Sequence, residues 1–124
     1  MRLFLCGVIM LLSSVASAHE MTPTYPQLRP SHLDNVYVTT MEMFNKRADV
    51  EYYEIGVFDK DFKPIPFVSK YTIVKIRYLG HVSFEIYIRK EDVSDATYVC
   101  SVSKLRKQDT TRTAVSSKIC SKFR

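Results

Sequence analysis

The chain has 124 residues, 18 Lys+Arg against 13 Asp+Glu, no Trp and three Cys, with 46% hydrophobic residues. That length supports one compact domain and excludes two. A formal net charge of +5 fits anionic partners, but it does not by itself choose among phosphate, lipid and acidic protein.

The first stretch, MRLFLCGVIMLLSSVASA, carries one cation (Arg2), an apolar run and a small-residue ending at Ala16-Ser17-Ala18. This is the layout of a secretory signal peptide over residues 1–18, cut after Ala18. Its apolar run is shorter than the roughly 20 residues a spanning helix needs. Cys6 lies inside it and would be discarded, leaving Cys100 and Cys120. An even pair in an exported chain is most simply a disulfide, worth about 3 kcal/mol for a loop of this size.

Residues 19–34 hold Pro23, Pro26 and Pro30 with no apolar periodicity. Proline fixes φ and removes backbone donors, so this is an extended lead-in or an edge strand. Strands are predicted over 36–44, rich in β-branched and aromatic residues, and over 50–58, with Tyr53, Ile55 and Val57 on one face. A polar turn at 45–49 separates them. A strand over 71–79 is expected to point Val74, Ile76 and Tyr78 inward. The segment 82–88 alternates most cleanly, with Val82, Phe84, Ile86 and Ile88 inside. Residues 96–103 place Tyr98, Cys100 and Val102 on one face, and 113–120 is expected as a last strand pinned by the disulfide.

Short strands about every ten residues, with no amphipathic helix, predict an all-β fold: a single immunoglobulin-like antiparallel β-sandwich of about seven strands over 35–124. The absence of Trp removes the antibody-type Cys-Trp-Cys pattern.

Arg29, the strand TTMEMFN over 39–45, the stretch YYEIGVFDKDFKPI and the later FEIYIRK over 84–90 together resemble the first domain of PapD-like periplasmic pilus-assembly chaperones. The resemblance spans roughly 28–103. It implies an immunoglobulin-like fold, a periplasmic or secreted location, and binding of a partner's extended strand along an edge of the domain. It further implies an Arg–Lys pair that grips a carboxylate, which maps onto Arg29 and, at the end of the Cys100 strand, Lys104. Pro30 directly after Arg29 departs from that pattern. So does the length, which leaves no room for the second domain that completes the family's cleft.

Other chemistry is weighed against this reading. Tyr52 and Tyr87 fall on outward strand faces and suit a recognition surface, because Tyr presents area at low entropic cost. Cleavage after Ala18 would free the amine of His19, which with His32 or His81 could chelate copper. Residues 104–124 are strongly basic (Lys104, Arg106, Lys107, Arg112, Lys118, Lys122 and Arg124 against Asp109 alone) and suit weak contact with anionic lipid or polysaccharide. No Gly-x-Ser-x-Gly elbow is present. Glu51 and Glu54 point to opposite strand faces, and Asp59 and Asp61 are turn carboxylates.

The expectation is therefore a non-enzymatic exported module, without cofactor and without nucleic acid, that binds another envelope or secreted protein. A copper-binding domain and a surface-attachment module are its alternatives.

Overall fold

The computed structural model describes residues 19–104 and 116–124. The signal-peptide assignment, Arg106, Lys107, Arg112 and the first residues of the expected last strand lie outside them.

Among the described residues, eight strands form two antiparallel sheets: β1 (Glu20–Thr22), β2 (Arg29–Pro30), β3 (Val36–Phe44), β4 (Tyr52–Phe58), β5 (Ile73–Lys75), β6 (His81–Arg89), β7 (Tyr98–Lys104) and β8 (Lys118–Lys122). A single helical turn, α1 (Lys90–Val93), follows β6. The first sheet has β3 at its centre, with β1 and β2 on one side and β6 on the other. The second runs β5-β4-β7-β8. This is an immunoglobulin-like sandwich.

The core forms where the two inner faces meet. Met41 and Met43 of β3 and Phe84, Ile86 and Ile88 of β6 pack against Tyr53, Ile55 and Val57 of β4, Val74 of β5 and Val99 of β7. Each fully buried side chain of this size stabilises by about 1.5–3 kcal/mol relative to exposure. The alternation in β6 creates this: Phe84, Ile86 and Ile88 are buried while Ser83 and Glu85 are exposed.

The proline-rich segment belongs to the sandwich as an edge strand. Its β1 pairs with Met43 and its neighbours, and β2 pairs Arg29 with Val38. Between them the chain crosses to the second sheet, where Thr24 O accepts from Lys122 N at 3.1 Å and Pro26 O from Arg124 N at 3.0 Å.

The expected strand over 71–79 survives only as β5. Val74 and Ile76 are buried as anticipated, but Tyr78 is half-exposed. The chain must leave the second sheet here to enter the first at β6. It does so through a turn in which Gly80 N donates to Arg77 O at 2.9 Å and Leu79 takes a left-handed backbone, φ 61°. That reversal ends the alternation before Tyr78. The last strand, β8, sits at 118–122, later than the expected 113–120.

Candidate functional site

Antiparallel ladders direct the backbone groups of alternate residues to one neighbour and of the intervening residues to the other. This rule locates the open edges. On β6, Gly80 O accepts from Asn45 N at 3.0 Å, so even-numbered residues bond toward β3. Tyr87 points the other way and exchanges two bonds with Val68, at 2.8 and 2.9 Å. His81, Ser83 and Glu85 share the orientation of Tyr87, yet no described residue bonds their N–H and C=O groups. They form a row of unpaired donors and acceptors along one side of the sandwich.

Apolar surface flanks this row. Val68 (69% exposed), which bonds Tyr87, and Leu79 (59% exposed), in the turn that leads into His81, provide it. At the lower end of the row a cleft of about 350 Å³ is lined by His32, Leu33, Val36, Val68, Tyr87 and Arg89. Exposed side chains along β6 itself are polar: His81 lies 3.9 Å from Glu42, and the Tyr87 hydroxyl donates to the Glu85 carboxylate. That bond raises the Tyr87 pKa. Charges on an open edge discourage unselective pairing.

A shorter open stretch lies on β8. Phe123 N donates to Thr97 O at 2.9 Å, and Ser103 N donates to Ser117 O at 2.9 Å, so odd-numbered residues bond toward β7. Lys118 and Cys120 therefore face outward, on the edge that the 24–26 segment closes further along. Cys100 and Cys120 sit opposite one another and are disulfide-bonded, with Cα atoms 4.1 Å apart.

The residues expected to form a partner-binding site are dispersed. Arg29 is exposed in β2 of the first sheet, whereas Lys104 ends β7 of the second and pairs with Glu54 at 2.8 Å. The two cations are not brought together. Tyr52 lies on the outer face of β4, 6.0 Å from Lys75 Nζ, and Tyr87 on the outer face of β6, so they belong to opposite sides of the sandwich. The histidines are separated as well. His32 lines the cleft, His81 is exposed at the start of β6, and His19 is buried. Among the described residues no group of three or more His, Cys, Asp or Glu is placed to hold a metal.

What sequence reading missed is a buried polar node at the upper end. His19 Nε2 lies 2.7 Å from Ser101 Oγ, and Nδ1 lies 3.0 Å from Ser117 Oγ. The ring also packs 4.4 Å from that of Tyr53. Arg47 donates to Ser117 Oγ at 3.3 Å and to both carboxylate oxygens of Asp49 at 2.9 and 2.6 Å. Tyr53 donates to Asn45 Oδ1 at 2.5 Å, while the Asn45 amide donates to Val50 O and Ile76 O, each at 2.8 Å. Burial is the main cause of lowering the His19 pKa to about 4; the Arg47 charge adds to it, and a hydrogen bond at Ser101 opposes it. Burial likewise pushes Tyr53 up to about 12. The node joins the residue just before β1 to β7, to the approach to β8 and to the turn after β3. Both imidazole nitrogens thereby have a serine hydroxyl within hydrogen-bond distance.

Comparison with protein-family models and with curated proteins finds no match. Among solved structures, the chain is similar to the crystal structure of the E. coli chaperone DraB, with a TM-score of 0.66 at 15% identity. The match covers 86% of this chain and 53% of DraB, so the chain spans about half the length of that chaperone. At this identity the likeness is one of fold.

Proposed function

We propose that the protein is an exported, non-enzymatic module that binds another envelope or secreted protein by taking an extended segment of it onto the open edge of β6. The observation that carries this reading is the row of unpaired backbone groups at His81, Ser83 and Glu85 beside exposed Val68 and Leu79. Strand addition draws affinity from such backbone groups and selectivity from the pockets that flank them. The cleft around Leu33, Val68 and Tyr87 offers one such pocket. The fold shared with the chaperone DraB supports a protein-binding, chaperone-like role, and the disulfide suits an oxidising compartment such as the periplasm.

A photocrosslinking amino acid placed at Glu85, in protein exported from its own cells, tests the reading. The expected result is a discrete adduct that disappears when Ser83→Pro is added, because proline removes an edge donor and blocks pairing. A control probe at Glu20, in β1 on the far side of β3 from β6, should give none. If position 85 yields no adduct, or one indifferent to Ser83→Pro, the β6 edge is not the binding site.

A further inference from the structure

A second surface, on the opposite side of the sandwich from β6, carries features that strand addition there does not use. The outer face of β4, β7 and β8 presents an aromatic pad. Phe62 stacks on Tyr98 with ring centroids 4.6 Å apart and planes 4° from parallel. Phe58 lies beside them, folded back over Gly56, where a Cβ would sit only 2.8 Å from the ring. Lys118 Nζ stands 4.9 Å from the Phe62 centroid and 5.5 Å from that of Phe58.

Two details set this pad apart from ordinary sheet decoration. Phe62 is 48% exposed yet has a left-handed backbone, φ 58°, an unfavourable region for a bulky residue. A dedicated turn holds it there: Asp59 Oδ1 accepts from Asp61 N and Lys63 N at 2.9 Å each, and Asp59 O accepts from Phe62 N at 3.0 Å. Strain of this kind concentrates at functional positions. The second detail is charge. Lys104 on the same face has Glu54 as counterion at 2.8 Å, whereas Lys118 and Lys122 have no ion pair among the described residues. Both lysines project from β8 toward the side of the pad, about 13 Å apart along the strand.

We infer that this face, centred on Phe58, Phe62, Tyr98 and Lys118, is a docking surface for an acidic extended segment of a partner protein. Carboxylates four positions apart in an extended chain match the spacing of Lys118 and Lys122, and apolar side chains between them meet the rings. Cation–π contact preorganises the Lys118 ammonium over the pad, which lowers the ordering cost of pairing it. Around the pad, Glu54 is paired with Lys104, and Asp59 and Asp61 alternate with Lys60 and Lys63 along the turn.

The probe is a short fluorescein-labelled peptide with two glutamates four positions apart and valines between, titrated into the purified protein and followed by anisotropy. Saturable binding is expected, weakened about tenfold by Lys118→Glu and by Phe62→Ser, and weakened by salt rising from ~0.05 to ~0.5 M. Both substitutions are at exposed side chains, and an unchanged melting temperature shows that each variant is folded. Amides at 59–63 and 118–122 should gain exchange protection, which distinguishes this surface from the β6 edge at 81–85. Absence of saturable binding would overturn the inference. So would indifference to both substitutions, equal affinity for the peptide with lysines in place of glutamates, or tighter binding to phosphatidylserine vesicles than to the peptide.

Discussion

The His19 ring joins three parts of the chain that are far apart in sequence, and its energetics follow from what each nitrogen touches. His19→Ala would leave Ser101 Oγ and Ser117 Oγ without the ring and open a cavity beside Tyr53. The expected cost is about 2–4 kcal/mol, measurable by urea denaturation. Asn45 is held more tightly: its amide donates to Val50 O and Ile76 O, and its Oδ1 accepts from the Tyr53 hydroxyl and Arg47 N. Asn45→Ala should destabilise by at least as much, roughly 3–5 kcal/mol, because buried backbone carbonyls lose their donors. The ring also sets a pH dependence. The fold keeps His19 neutral down to about pH 4, whereas the unfolded chain takes up the proton near its ordinary value of 6.5. The unfolded state therefore binds more protons between those values. Stability from the neutral ring is complete above about pH 6.5 and is lost as pH falls toward 4. His19→Gln should flatten the melting temperature over that window relative to the native protein, and an equal slope in both would contradict the assignment. None of this was visible in sequence, because a histidine in a proline-rich stretch without apolar alternation carries no signal of burial.

At the scale of elements, legibility tracked how regularly a strand alternates and how long it stays in one sheet. β6 was readable residue by residue because Val82, Phe84, Ile86 and Ile88 occupy every second position over its length. β4 was equally plain through Tyr53, Ile55 and Val57. The stretch 71–79 misled because its apolar alternation continues into a turn, where Asn45 and Arg77 capture the backbone instead of a neighbouring strand. That Arg29 and Lys104 belong to different sheets was hidden for a related reason: spacing along the chain cannot say which of two sheets a strand end joins. The open edge itself needs the hydrogen-bond parity of β6, which only the register with β3 supplies. That parity makes a sharp prediction. Ser83→Pro removes an N–H that bonds nothing among the described residues and should lower stability modestly, by about 1–2 kcal/mol, through φ restriction alone. Phe84→Pro removes a donor to β3 and a core side chain, and should unfold the sandwich.

For the whole molecule, the sandwich is closed at its β8 corner by the 24–26 segment and by the Cys100–Cys120 bond. Replacing both cysteines by alanine should cost about 3 kcal/mol on the loop-closure account, and reductant should lower the melting temperature of the native protein but not of the double variant. The opposite flank, by contrast, is left open along β6. The same two-sheet frame recurs in the chaperone DraB, of which this chain spans about half, and the binding proposed for this chain is placed on the open β6 edge of that frame. Residue-resolved amide exchange across β6, in the free protein and in the crosslink-identified complex, tests that claim most directly. Free protein should show alternation: Val82, Phe84 and Ile86 protected by β3, and His81, Ser83 and Glu85 exchanging fast. Binding should protect the second set. If those three amides are already protected in the free protein, or stay unprotected when the partner is bound, the β6 edge is not where this protein takes hold of another.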